Sequence, residues 1–266
     1  MKTTQIKLSI LAAVAAAIVP AAANASIVIM PSNSSSMALG YVEPGQGFSQ
    51  AVVYDNQTGD LDGTVGNMTV QASNTSAAPD WNGTFSAYTT STSSSSILQG
   101  LQLAFRNNAT STQTITIEVT EVGFTVPQGF HISLLNELSG TLTNAAAGNT
   151  ITFSSYADSN NGWGNTDTTQ PNVTQSGPAS YVATASLPTS PLQSFAQPTN
   201  TAVFATGADG APYSLTDVLT ITLASGASAN ISDTTQTAVP EPASLAMLGL
   251  GGAGLLLVRR RKAAQA

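Results

Sequence analysis

Residues 112–126, TQTITIEVTEVGFTV, decide the fold class because hydrophobic and polar residues alternate along nearly their whole length. Period-2 alternation of this kind predicts a β-strand with one buried face. The apolar positions are Ile115, Ile117 and Val119, followed by Val122, Phe124 and Val126. The second set has the opposite parity, so the apolar face changes phase around Thr120–Glu121. We expect a β-bulge or a bend there, because either would return both sets to one interior.

Two acidic residues, Glu118 and Glu121, flank this change of phase. A pair of carboxyl groups that converge across a cleft is the machinery of a glycosidase. Because the strand changes phase near them, we expect both side chains to face solvent instead. A catalytic pair is the alternative hypothesis for these residues.

Further alternating segments run through residues 26–238, among them SQAVVYD (49–55), NMTVQAS (67–73), ILQGLQLAFRN (97–107) and SLTDVLTITLAS (214–225). Turn-forming pairs such as Asp62-Gly63 and Asn82-Gly83 separate them, and no internal repeat is visible. Many short strands punctuated in this way predict an all-β domain. We expect an antiparallel β-sandwich ectodomain over residues 26–238, with low-complexity polar loops.

The charge of this span is strongly asymmetric. Residues 26–238 contain thirteen acidic residues and one basic residue, Arg106, which gives a formal charge of −12. Such a surface repels phosphate backbones, so nucleic acid is excluded as a partner. The chain has no cysteine, so its stability must come from the core without disulfides.

The first 25 residues have the three parts of a secretory signal. Lys2 and Lys7 supply a positive region, residues 8–23 are mostly apolar, and Ala23-Asn24-Ala25 has the small-x-small form of a cleavage site. We predict that residues 1–25 are a signal peptide, which makes signal peptidase an expected partner.

The last 28 residues, 239–266, combine three elements in a fixed order. These are the tetrapeptide Val239-Pro240-Glu241-Pro242, the apolar run 243–258 and the basic cluster Arg259-Arg260-Arg261-Lys262. As a helix the apolar run would be about 24 Å long, shorter than the hydrocarbon core of about 30 Å. We predict a short transmembrane helix whose basic cluster stops transfer and stays in the cytoplasm. The two prolines predict an extended, accessible peptide outside.

This tail resembles the PEP-CTERM sorting signal of Gram-negative bacteria. The resemblance implies recognition near Pro-Glu-Pro by an exosortase, a protease embedded in the inner membrane. It further implies transient anchoring there, cleavage of the tail, and delivery of the body to the cell surface or the extracellular polysaccharide matrix. A permanent single-pass anchor is the alternative.

Two acidic loops are candidate calcium sites. In DNQTGDLDG the oxygen ligands would be Asp55, Asp60 and Asp62. In DSNNGWGNTD a second set, Asp158, Asn160 and Asp167, surrounds a Gly-rich turn. Neither loop has the spacing of an EF-hand, and Asp, Asn and Gly are also ordinary turn residues. No cofactor other than this possible calcium is predicted.

Catalytic signatures are otherwise missing from the sequence. His131 is the only histidine, there is no cysteine, and no Gly-x-Ser-x-Gly motif occurs. We therefore predict a non-enzymatic exported protein of the cell surface or matrix, with exopolysaccharide as a possible partner.

Two alternatives stay open. One is a secreted polysaccharide-acting enzyme. The other is a protein that adsorbs to a flat lattice such as ice, because threonine occupies every second position at 112–116 and 220–222. That function needs several rows stacked in register.

Overall fold

The computed structural model describes residues 35–42, 50–73, 79–183, 192–206 and 211–239. Regular secondary structure in these ranges consists of thirteen strands. In chain order they are β1 (Met37–Val42), β2 (Gln50–Tyr54), β3 (Asn67–Ser73), β4 (Trp81–Thr92), β5 (Ser95–Asn107), β6 (Gln113–Phe124), β7 (Ile132–Thr143), β8 (Thr150–Asp158), β9 (Val173–Val182), β10 (Leu192–Ala196), β11 (Asn200–Phe204), β12 (Tyr213–Leu223) and β13 (Ser228–Ala238).

The two predicted terminal segments, the signal peptide over 1–25 and the membrane segment over 243–258, lie outside the described residues. Within the described ranges, no helix is both long enough and apolar enough to cross a membrane.

The strands form two sheets, and each pair of neighbouring strands is antiparallel. The six-stranded sheet has the order β2-β1-β6-β12-β8-β9. The seven-stranded sheet has the order β10-β7-β13-β5-β4-β3, and β11 also pairs with β7. The predicted all-β antiparallel sandwich is therefore confirmed.

One hydrophobic core fills the space between the sheets. Across it, Tyr41 of β1 meets the rings of Trp81 and Phe85 of β4, with ring centroids 6.2 and 5.9 Å apart. Trp81 and Phe85 are almost completely buried. Burial of aromatic side chains from both sheets supplies much of the free energy that holds the sheets together.

The predicted bulge in β6 is confirmed, one to two residues beyond its expected position. Between Glu121 and Phe124 the pairing with β12 advances by three residues on β6 and by two on β12. Val122 and Gly123 therefore face a single residue of β12, and Gly123 has a φ of 91°, which a glycine adopts without strain. The bulge returns Phe124 to the core, where its ring stacks on Tyr213 at 5.5 Å.

The expectation that Glu118 and Glu121 face solvent is wrong. Their side chains are only 4% and 9% exposed. Both precede the bulge, so it cannot turn them outward, and their odd spacing places them on opposite faces of the sheet. Glu121 shares the parity of the core residues. Glu118 lies on the outer face, where Tyr54 and Trp163 pack around Ala38 of the neighbouring strand.

Strand β13 occupies the middle of the seven-stranded sheet, between β7 and β5. Its buried positions include Asp233, Thr235 and Thr237, so the interior is polar along this strand. Thr235 is hydrogen bonded to Asp217 of β12 and to Ser155 of β8. These hydrogen bonds join the two sheets through the interior.

Candidate functional site

An open groove of 620 Å³ lies on the outer face of the seven-stranded sheet, around Arg106. Arg106 of β5 stands in register with Asn82 of β4 and Ser228 of β13. Gln71 of β3 and Asn230 of β13 line the same groove. Four neighbouring strands thus bring one guanidinium group and three amide groups to one surface.

These polar side chains are not used to hold the fold together. Gln71, Asn82, Arg106 and Asn230 are exposed, and within the described part of the chain none of their side chains forms a hydrogen bond or an ion pair. A guanidinium group offers several donors in a fixed plane, and an amide offers both donors and an acceptor. The groove therefore presents hydrogen-bonding groups suited to a hydroxyl-rich ligand.

A second open groove, of 490 Å³, follows along the same edge of the sheet. It is lined by Asn67 and Thr69 of β3 and by Ser86 and Tyr88 of β4. Thr69 and Ser86 lie opposite each other and their hydroxyl oxygens are 3.1 Å apart. The Tyr88 hydroxyl donates to the side-chain carbonyl of Gln99 on β5. Tyr88 adds an aromatic ring to this face.

The outer face of the six-stranded sheet carries threonines in register across three strands. Two rows run across β6, β12 and β8, and they are Thr114-Thr222-Thr150 and Thr116-Thr220-Thr152. Within these rows the Thr114 and Thr222 hydroxyl oxygens are 2.9 Å apart, and those of Thr116 and Thr220 are 3.3 Å apart. Strand pairing therefore supplies the stacking that the sequence alone did not reveal.

The loop after β8 is organised by Asp158, one of the predicted calcium-binding residues. Its Oδ1 accepts from the Asn160 backbone and from Asn172 Nδ2 at 2.8 and 2.6 Å. Its Oδ2 accepts from the Gly162 backbone and from Asn165 Nδ2 at 3.2 and 2.7 Å. Four donors therefore satisfy this buried carboxylate within the loop.

This loop carries Trp163 onto the outer face of the six-stranded sheet. The ring of Trp163 meets Tyr54 edge to face at 6.2 Å. Ser214 of β12 donates to the Gly162 carbonyl at 2.7 Å, which ties the loop to the sheet. The position of Trp163 thus depends on the loop that Asp158 holds.

The other predicted calcium residues, Asp55, Asp60 and Asp62, also accept hydrogen bonds, from their own loop and from β3. Asp60 Oδ1 accepts from the backbone of Asp62 and of Thr69, at 3.0 and 2.9 Å. Asp55 Oδ2 accepts from the Gly66 backbone at 2.9 Å. In the described ranges no three His, Cys, Asp or Glu side chains are grouped so that they could hold a metal ion. Calcium at this loop stays a prediction.

Three buried carboxyl groups have raised pKa values. Burial raises the pKa of Glu118 to about 8. For Glu121 the pKa rises to about 7, mainly by burial and partly by the charge of Asp55, against a hydrogen bond from Ser36. Burial, followed by the nearby charge of Asp233, raises the pKa of Asp217 well above its usual range. Ionisation of any of these groups lowers the stability of the folded protein, because burial disfavours the charged form.

His131 is exposed and directly precedes β7, which starts at Ile132. Sequence reasoning missed the groove residues Gln71, Asn82 and Asn230. The one available signal was Arg106, the single basic residue of residues 26–238. Only the register of the strands shows that the three amides lie beside it.

A segment near the C-terminal end of the chain matches a known protein-family model. Residues 238–262 match the PEP-CTERM protein-sorting motif. No curated protein matches the chain significantly. The predicted sorting residues 240–242 and the basic cluster 259–262 fall within the matched segment but outside the described residues, and Val239 lies in both.

Two solved structures show a distant likeness. One is TmCBM61 in complex with β-1,4-galactotriose, with 11% identity, 52% of this chain and 70% of that chain covered, and a TM-score of 0.28. The other belongs to a study of carbohydrate-binding modules from the β-sandwich superfamily, with 12% identity, 77% and 75% coverage, and a TM-score of 0.26.

Proposed function

We propose that this chain, which carries a PEP-CTERM protein-sorting motif, is a non-enzymatic protein of the cell surface or extracellular matrix that binds polysaccharide there. The motif implies export and sorting by an exosortase. In this proposal signal peptidase removes residues 1–25, the exosortase cuts near Pro240, and the sandwich domain is the mature protein.

The groove around Arg106 is the observation that supports polysaccharide binding. It is open at the surface and extends across four strands. Its amide and guanidinium groups have no hydrogen-bond partner among the described residues. A sugar polymer offers dense hydroxyl groups as both donors and acceptors, which match these side chains. Binding at the groove would keep the secreted domain in the matrix.

The positions of the acidic residues favour binding over catalysis. Glu118 and Glu121 would be the catalytic pair if the protein were a glycosidase. They lie on opposite faces of the six-stranded sheet and do not converge. Neither lines the groove around Arg106, which is on the other sheet. A polysaccharide-acting enzyme would have to use other residues.

Fractionation of the native host tests the location. We expect the body of the protein in the surface or extracellular fraction. Full-length protein that stays in the cytoplasm would contradict the proposal.

Affinity electrophoresis of the full chain, in gels containing host exopolysaccharide, tests the binding. We expect the polymer to retard the wild type, and Arg106→Ala to remove most of the retardation. Thr201→Ala, an exposed change on β11, is the matched control and should migrate like the wild type. Equal retardation of the Arg106→Ala variant would exclude the groove as the binding site.

The threonine rows favour a second candidate function, adsorption to an ordered surface such as ice. Antiparallel strands lie about 4.8 Å apart and residues of one face recur about every 6.8 Å, so the rows form a small regular grid. Ice crystals grown with the protein would test this function. Crystals whose shape does not change would exclude it, and faceted crystals that lose their facets with Thr220→Lys would support it.

A further inference from the structure

We propose that the two grooves of the seven-stranded sheet form one track that binds a neutral polysaccharide chain lying along β3 and β4, from Arg106 to Tyr88. This inference rests on the proposed polysaccharide binding and adds the class of ligand and the direction in which it lies.

The grooves adjoin each other because successive residues of the same two strands line them. On β3, Gln71 lines the first groove and Thr69, the next residue on that face, lines the second. On β4, Thr84 lines the first and Ser86 the second. From Asn82 to Tyr88 the track covers six residue steps of β4, or about 20 Å. This length suits an oligomer better than a single sugar.

The two ends of the track offer different chemistry. Arg106 and Asn82 stand in register at one end, where they can donate to hydroxyl groups. At the other end the Tyr88 ring is half-buried, and its hydroxyl is held by Gln99. A fixed aromatic ring provides an apolar surface for the C–H face of a sugar ring. Hydrogen bonding and stacking are thus separated along the track.

A bulge in β5 lies between the two ends. Thr84 pairs with Ala104, but Ser86, two residues on, pairs with Leu101, so β5 carries one extra residue. The pairing of β5 with β13 shifts at the same place. A bulge increases the local twist and bends the strand. The track therefore follows a twisted surface, which suits a polymer that itself winds along its axis.

The charges on this face favour a neutral chain. Arg106 supplies positive charge at one end, whereas Asp62 lines the second groove beside Tyr88. The surrounding domain is strongly acidic, with a formal charge of −12 over residues 26–238. A polymer with a carboxylate on each repeat would be repelled along most of the track.

Titration calorimetry of the full chain, purified in a mild detergent, tests the track. The probes are the disaccharide and the hexasaccharide of a neutral β-glucan, with alginate oligomers as the acidic probe. We expect the hexasaccharide to bind about tenfold more tightly than the disaccharide and alginate to bind more weakly. Tyr88→Ala should lower the affinity for the hexasaccharide about five- to tenfold, while Tyr88→Phe should retain it. Phe130→Ala, which removes an exposed aromatic ring outside the track, is the control.

The outcomes separate the track from the proposed function. If polymer binding depends on Arg106 but the hexasaccharide gains nothing over the disaccharide and Tyr88→Ala has no effect, the groove is real and the track is wrong. If the wild type binds no polysaccharide at all, the proposed function fails and the track fails with it. Tighter binding of alginate than of the neutral hexasaccharide would overturn the assignment of a neutral chain.

Discussion

Thr235 donates its hydroxyl hydrogen to Asp217 across the interior, which links β13 of one sheet to β12 of the other. Ser155 of β8 is hydrogen bonded to the same hydroxyl group. All three side chains are at most 4% exposed. A buried polar group that loses its partner is not compensated by water, so this network makes the packing of the sheets depend on matched donors and acceptors.

Replacing Thr235 by valine tests that dependence. The change preserves shape but removes the Thr235 hydroxyl from Asp217 and from Ser155, so we expect a loss of about 2–3 kcal/mol in the free energy of unfolding. Thr234→Val, at the neighbouring half-buried position, is the control and should stay within about 0.5 kcal/mol of the wild type. Urea denaturation at constant pH measures both. Equal effects of the two changes would show that the interior hydrogen bond contributes little.

The buried Glu118 predicts that stability falls as the pH rises. Its pKa is about 8 in the folded protein, against about 4.3 in an unfolded chain. Between these values the folded state binds more protons than the unfolded state, so the free energy of unfolding decreases with pH from about 4 to 8. The charge of Glu118 also acts on Tyr156. The pKa of Tyr156 is raised mainly by burial and further by that charge.

Glu118→Gln should flatten this part of the stability profile. The variant should lose less stability than the wild type between pH 5 and pH 8, by an amount on the order of a few kcal/mol. Glu137→Gln changes an exposed carboxyl group and is the control. Chemical denaturation at several pH values gives the profiles. Parallel curves for the wild type and Glu118→Gln would contradict the prediction.

Asp158→Ala should release the loop that carries Trp163. The change removes four hydrogen bonds from one buried carboxylate, so we expect a loss of about 3 kcal/mol or more. The fluorescence of Trp163 should shift to longer wavelength as the ring leaves Tyr54. Asp167→Ala, at an exposed position of the same loop, should leave the spectrum unchanged. A double change with Trp163→Phe identifies the source of the signal, because Trp81 remains.

Glu241→Ala tests processing of the tail. If the residues around Pro240 and Pro242 are recognised by an exosortase, the variant should stay uncut and membrane-bound, whereas the wild type should end near residue 240. A permanent anchor would be indifferent to the change. Intact-mass measurement of the protein from a host that has the protease compares them. Wild-type protein that retains residues 245–266 would refute cleavage.

The alternation in residues 112–126 was enough to predict β6, its bulge and the all-β class, because one face of that strand is apolar. Strand β3 was predicted with its observed limits for the same reason. Strand β13 was missed because several of its inward positions are Asp or Thr, and alternation of hydrophobicity does not mark a polar interior. The short edge strand β10 was missed as well.

Burial of Glu118 was unpredictable from its own strand for a related reason. Period-2 alternation assigns it to the face away from the core, but residues distant in sequence cover that face near Ala38. The groove around Arg106 could be recognised only from the register of the strands. Gln71 and Asn230 carry no signal in the sequence, and Asn82 was wrongly assigned to a turn, whereas it lies within β4. Only pairing among four strands gathers the three residues at one place.

The place of β13 in the fold has a consequence for the order of events in the cell. Its last residue, Ala238, is also the first residue of the matched sorting motif. Strand β13 lies between β7 and β5. Until β13 has left the ribosome, the two halves of the seven-stranded sheet therefore cannot join. The ribosome therefore completes the last strand only just before it begins the tail. The central strand of this sheet therefore runs directly into the sorting motif, with no spacer between them.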